Sequence, residues 1–126
     1  MSLGLATIAA RAASGKTLEE TLILDVGELI GITDHFVITG GRNDRQVRAV
    51  LDEVQKAVRA AGGKLLRSEG LRDLKWVLLD YGDFVVHVFE QEARSYYGLE
   101  RLWADSDRLE FDLEGDDALS APASRR

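Results

Sequence analysis

The sequence contains no cysteine, only two histidines, and no apolar run that approaches the length of a membrane helix. The lack of cysteine excludes disulfides, thiol nucleophiles and cysteine zinc sites, and it fits a reducing compartment. A membrane helix needs about 20 apolar residues, and the first residues lack the basic segment of a secretory signal. We therefore expect a cytoplasmic protein that does not enter a membrane.

Positive charge is also scarce. The chain has 16 Lys and Arg against 22 Asp and Glu, which gives a formal net charge of −6. Lys and Arg supply most of the nonspecific affinity of proteins for nucleic acid, and the chain has no basic cluster. We therefore expect no direct sequence-specific nucleic-acid binding. An acidic surface suits a basic protein partner instead, because complementary charge raises encounter rates.

Helical and strand patterns alternate along the 126 residues, which predicts a single α/β domain. Residues 1–105 form the predicted domain, and the acidic segment 106–126 is expected to be a mobile tail. The expected architecture is a mixed β-sheet of about five strands with helices packed on it. The predicted helices cover 5–13, 43–61 and 92–104, and the predicted strands cover 21–26, 34–39, 64–68, 75–80 and 84–89.

Three local patterns carry most of this prediction. Asn43 and Gln46 resemble a capping box ahead of a helix whose valines and leucine recur at helical spacing. The third strand is expected to lie parallel to the second through a right-handed crossover. The turn at 81–83 predicts a tight antiparallel hairpin, with the side chains of Trp76, Leu78 and Asp80 on one face. In the last helix, a shared face is predicted for Ala93, Tyr96, Leu99 and Trp103.

Catalytic and metal chemistry find little support in the sequence. The pair Gly40-Gly41 between a strand and a helix could face a phosphate, as in a nucleotidyltransferase, but no Asp-x-Asp follows it. A glycine turn before a helix is the favoured interpretation. His35 and His87 have no second histidine or cysteine at ligand spacing, so neither a metal site nor a catalytic histidine is expected. We expect His87 to be hydrogen-bonded and half-buried.

Two aromatic residues of the hairpin allow two interpretations. Trp76 and Tyr81 are either core residues or exposed anchors for a partner, and the sequence leaves both open. Exposed tryptophan and tyrosine beside charged residues are typical of protein interfaces, where each commonly contributes about 2 kcal/mol or more.

A dense run of residues resembles the ribosomal silencing factor family, also called Iojap-related. The resemblance is carried by residues 76–89 and 94–105, with Asp34-His35-Phe36-Val37-Ile38 and Glu69-Gly70 upstream, and it covers about residues 5–105. It implies a nucleotidyltransferase-like topology without the catalytic acids, no cofactor and no enzymatic activity. It also implies binding to the large ribosomal subunit through large-subunit ribosomal protein number fourteen. Such binding blocks joining of the small subunit under nutrient limitation.

The residues that touch the partner are our own inference from the matching positions. We select polar or amphipathic residues around the hairpin: Glu69, Trp76, Asp80, Tyr81, Asp83 and Arg94. Departures from the family pattern occur at His35, Asn43 and Gln46, where asparagine can cap a helix as serine does. The alternative function is a nucleotide-binding enzyme of nucleotidyltransferase-like fold, and a homodimer of the free protein is a further hypothesis.

Overall fold

Six strands and four helices make up the described part of the chain in a computed structural model. The structure describes residues 2–27, 31–102, 104 and 106–111. The helices are α1 (Ser2–Ser14), α2 (Asp44–Ala60), α3 (Gln91–Tyr97) and α4 (Leu99–Leu102). The strands are β1 (Leu22–Asp25), β2 (His35–Gly41), β3 (Arg67–Glu69), β4 (Trp76–Asp80), β5 (Phe84–Glu90) and β6 (Asp107–Leu109).

The strands form one mixed sheet in the order β3-β4-β5-β2-β1-β6. The predicted α/β class with a mixed sheet is therefore confirmed, with six strands where about five were expected. The central pair β2 and β5 is parallel, and every other pair is antiparallel. The predicted neighbour of β2 was wrong, because β5 rather than β3 pairs with it. β5 has seven residues and is largely buried, as a central strand is. β3 has only three residues and lies at the edge of the sheet.

Helix α2 begins as its sequence predicts. Asn43 is extended, and its Oδ1 accepts a hydrogen bond from the backbone N–H of Gln46 at 2.9 Å. The Gln46 side chain bonds one residue further back than in a capping box, at the backbone N–H of Arg42. The apolar stripe of the helix is buried: Val47, Val50, Leu51, Val54 and Val58. This stripe and the alanines of α1 cover one face of the sheet, over Val77, Leu79, Val86 and Val88.

The other sheet face is covered only in part. Short helices α3 and α4 bring Ala93 and Leu99 against Leu24, Ile38 and Phe89. With only seven and four residues, these helices reach a limited area of the sheet. The same face of β4 and the start of β5 stay partly exposed, and this opening holds most of the candidate site described below.

The closing helix differs from the single helix predicted over 92–104. Gly98 takes a left-handed conformation with φ of +59°, which ends α3 and starts α4 in a new direction. Ala93 and Leu99 are buried as predicted, but Tyr96 is 80% exposed, so the predicted shared face was wrong at this position. Trp103 lies outside the described residues.

The sheet also extends past residue 105. Strand β6 pairs antiparallel with β1, between Leu109 and Ile23 and between Asp107 and Asp25. It falls within 106–126, the segment expected to be a mobile tail, and residues 112–126 lie outside the described part. No helix in the described ranges is both long and apolar enough to cross a bilayer.

Candidate functional site

The partly exposed sheet area opposite α1 and α2 forms a continuous surface, which we call the open face. Cross-strand pairing places its side chains together, since Arg67 is opposite Asp80, Glu69 is opposite Leu78, and Asp80 is opposite Val85. The open face consists of Arg67, Glu69, Trp76, Leu78, Asp80 and Val85. None of them is fully buried, although three are large apolar residues. A surface of this composition is typical of a site for protein contact.

Trp76 lies at one end of the open face and is only partly buried. Its indole stacks on Phe89 with 5.0 Å between ring centroids and contacts Tyr97 at 4.8 Å. Its Nε1–H donates a hydrogen bond to Nδ1 of His87 at 3.1 Å. The ring is therefore held on several sides, and the residue is neither fully buried nor fully exposed. His87 is buried at 4% exposure and hydrogen-bonded, whereas half-burial was expected.

The other end of the open face carries a small charge network. The Arg67 guanidinium contacts the carboxylate of Glu69, and its Nε donates to Oδ2 of Asp80 at 3.2 Å. Asp80 also accepts from the backbone N–H of Gly82 at 2.8 Å through Oδ1, which fixes the carboxylate at the hairpin turn. Two carboxylates share one cation, so this end of the surface keeps one net negative charge. It is suited to a cationic partner group.

Tyr81 and Asp83 do not belong to the open face. Tyr81 lies over the α2 side of the sheet, where it stacks on Phe84 with 4.9 Å between centroids. Burial raises the pKa of its phenol, while nearby Arg59 opposes that shift. Asp83 is exposed at the hairpin turn, and its backbone carbonyl accepts from the N–H of Asp34 at 2.8 Å. The structure thus separates Tyr81 from Trp76 by the thickness of the sheet.

Arg94 is engaged in internal contacts. Its guanidinium binds both carboxylate oxygens of Glu100 at 3.2 Å, and its third nitrogen donates to the Glu20 carbonyl at 2.6 Å. The side chain is only 11% exposed. This bidentate pair spans the break at Gly98 and joins α3 to the segment before β1. These contacts of Arg94 hold α3 in place beside Trp76.

Two residues at this surface were not selected from the sequence. Tyr97 is 47% exposed and packs on Trp76, and Tyr96 is 80% exposed and meets Tyr97 edge-on at 5.1 Å. We call Trp76, Tyr97 and Tyr96 the aromatic ridge. The signal was present in the sequence, because consecutive helical residues are about 100° apart and two adjacent tyrosines cannot both face the core.

The glycine pair that ends β2 has a packing explanation. A Cβ on Gly40 would lie 2.7 Å from the carbonyl oxygen of Phe89, and one on Gly41 would lie 2.7 Å from the backbone nitrogen of Val47. β5 at Gly40 and α2 at Gly41 therefore approach β2 too closely for a side chain at either position. The nearby N–H groups of Gln46 and Val47 are already bonded to Asn43. Within the described ranges, no group of three His, Cys, Asp or Glu side chains could hold a metal ion.

Known proteins resemble this chain over most of its length. The family model described as "Ribosomal silencing factor during starvation" matches residues 2–126. The ribosomal silencing factor RsfS of Bacillus subtilis is 40% identical over 106 residues, covering 84% of this chain and 90% of the relative. A crystal structure from Bacillus halodurans aligns with a TM-score of 0.74 at 35% identity, covering 86% of this chain and 99% of that one. Another, from Chromobacterium violaceum, gives 0.77 at 29% identity, with coverages of 93% and 97%. The chain therefore belongs to the ribosomal silencing factor family.

Proposed function

We propose that the protein binds the large ribosomal subunit and blocks joining of the small subunit, which lowers translation under nutrient limitation. Membership of a family named for ribosomal silencing supports the ribosomal role. The direct partner in this proposal is large-subunit ribosomal protein number fourteen. Blocking by occupancy requires no catalytic step, so the protein acts as a binding module rather than as an enzyme.

The observation that carries the proposal is the state of Trp76. Its ring is fixed by Phe89, Tyr97 and His87 yet remains partly exposed, beside a surface with excess negative charge. Rigid aromatic residues lose little conformational freedom on binding and are the commonest energetic centres of protein interfaces. A standard interface covers about 800 Å² on each partner, and in this proposal the open face and the aromatic ridge form its centre.

The contact with a basic partner is assigned to the open face. Glu69 and Asp80 provide the carboxylates, and Leu78 and Val85 provide apolar contact between them and Trp76. Asp83, exposed at the hairpin turn, adds a further carboxylate outside the open face. In this proposal Arg94 acts indirectly by holding α3, which carries Tyr96 and Tyr97, beside Trp76, and Tyr81 supports the hairpin from the opposite face.

Substitution of Trp76 tests the docking surface. Trp76→Ala is expected to abolish cosedimentation with purified large subunits, and a circular dichroism spectrum like that of the unchanged protein would show that the fold persists. In a sucrose gradient of mixed subunits, the unchanged protein should remove the joined particle and Trp76→Ala should restore it. Normal cosedimentation of Trp76→Ala would exclude the open face as the docking site.

A matched pair of charge substitutions tests the electrostatic part. Glu69→Gln removes one negative charge from the open face, and Asp52→Asn removes one from the exposed side of α2. The first should weaken binding and reduce its salt dependence, whereas the second should leave both unchanged. Equal effects of the two variants would mean that only the net charge matters. The solution mass of each variant should be measured alongside, because a dimer formed through the open face would compete with docking.

A further inference from the structure

His87 is a buried polar residue directly beneath the open face. It is 4% exposed, and the strand register places it between Leu78 of β4 and Ile38 of β2. The edge of its ring meets Phe36 with 4.5 Å between centroids. Its surroundings are therefore apolar except on the side that faces Trp76.

The hydrogen bond to Trp76 fixes the protonation of the imidazole. An indole N–H can only donate, so Nδ1 of His87 must carry a lone pair and the ring proton must be on Nε2. Burial lowers the pKa of His87 to about 4, which keeps the ring neutral near pH 7. The acceptor required by Trp76 is therefore present at physiological pH.

The two ring nitrogens of His87 differ in their hydrogen bonding. Nε2 is buried and has no hydrogen-bond partner among the described residues. A buried donor without an acceptor is unfavourable, and an apolar side chain at this position would avoid that cost. The benefit of the histidine therefore lies on the other side of its ring, at the indole.

We infer that His87 is a positioning residue of the docking surface, which holds the Trp76 indole in its binding orientation by accepting the Nε1–H bond. The inference rests on the proposed docking function and adds a residue that does not itself reach the surface. The bond turns the polar edge of the indole toward the sheet, while Phe89 and Tyr97 hold its ring. The partner then meets an apolar ring edge that is already ordered.

Two nearly isosteric substitutions distinguish the effect of the hydrogen-bond acceptor from the effect of the imidazole ring. In His87→Asn, the side-chain oxygen can accept near the position of Nδ1, whereas His87→Leu has no acceptor. The first measurement is the hydrogen-exchange rate of the Trp76 indole proton in ¹⁵N-resolved NMR, with Trp76→Phe assigning the signal. Exchange should be slow in the unchanged protein and in His87→Asn, and on the order of tenfold faster in His87→Leu.

The second measurement is affinity for purified large subunits. His87→Leu should bind about 3- to 10-fold more weakly than the unchanged protein, the range expected when one side chain must be ordered on binding. His87→Asn should bind nearly normally. In a Trp76→Phe background, His87→Leu should cause no further loss, because the phenyl ring has no N–H to position.

The outcomes distinguish this inference from the docking proposal. Equal indole exchange in His87→Leu and in the unchanged protein overturns it. Normal large-subunit affinity of His87→Leu also overturns this inference. If Trp76→Ala fails to bind in the same assay, the docking proposal stands. Normal binding of Trp76→Ala overturns both, because the residue that His87 positions would then not touch the partner. A loss in His87→Leu that persists in the Trp76→Phe background would assign His87 a structural role unrelated to the indole.

Discussion

Acid should destabilise the folded chain through His87. Burial lowers the pKa of this residue from the usual 6.5 to about 4 in the folded state. Below pH 6.5, the unfolded chain therefore binds a proton that the folded chain does not bind, and lowering the pH favours unfolding. The stability that depends on neutral His87 is fully present above pH 6.5 and is lost as the pH falls toward 4.

The size of the effect follows from the difference in pKa. One proton bound only by the unfolded chain changes the free energy of unfolding by about 1.4 kcal/mol per pH unit. Between pH 6.5 and about pH 5 the loss is therefore about 2 kcal/mol, and it approaches about 3 kcal/mol near pH 4. Domains of this size are commonly stable by only about 5–15 kcal/mol, so the change is readily measured.

Urea unfolding followed by circular dichroism at about pH 7, 6 and 5 measures this dependence. His87→Leu is the control, because it retains the other ionisable groups and lacks the imidazole. The stability of the unchanged protein relative to His87→Leu should fall by about 2 kcal/mol across this range. A constant difference between the two proteins would refute the claim that His87 is held neutral by burial.

Two further predictions concern local structure. Gly70 has φ of +86°, and a Cβ there would overlap the carbonyl oxygen of Trp76, so Gly70→Ala should cost at least about 1–3 kcal/mol in thermal unfolding. Gly4→Ala in α1 is the control, because a Cβ there meets no atom within 4 Å and the change should be neutral or stabilising by up to about 1 kcal/mol. A similar loss of stability in both variants would contradict the argument. Asn43→Ala should lower the free energy of unfolding by about 0.5–2 kcal/mol in urea titrations, and Asn43→Ser should restore most of it. A loss of the same size in Asn43→Ser would show that the cap is not the cause.

Local sequence patterns were sufficient to predict the helices and turns whose conformation depends on residues close in the chain. The helical repeat from Val47 to Val58 and the cap at Asn43 identified α2, and Gly82 marked the hairpin between β4 and β5. Alternation correctly placed Trp76, Leu78 and Asp80 on one face of β4 and Val77 and Leu79 on the other, and the structure shows that the second face is the buried one. In these cases, the spacing of apolar residues and the conformational demands of capping and turn residues act within a few positions of the chain.

The candidate site depended on contacts between distant parts of the chain. Glu69 meets the hairpin through the pairing of β3 with β4, and Trp76 is held by Phe89, Tyr97 and His87. The sequence did not reveal that Arg94 is held by Glu100 and the Glu20 carbonyl. Side-chain type indicates what a residue can bind, but the available partners are decided by which elements pack together.

The sequence by itself determined the α/β class, most of the helices and strands, and the family to which the chain belongs. Only the tertiary structure decided that β5 lies beside β2, that β6 extends the sheet, and that α3 and α4 leave one side of β4 uncovered. The physical reason is that the spacing of apolar residues indicates which side of a helix or strand is buried. Strand order and the coverage of a sheet face depend instead on long-range packing. The short helices α3 and α4 bury Phe89 of β5 but leave Leu78 and Asp80 of β4 partly exposed.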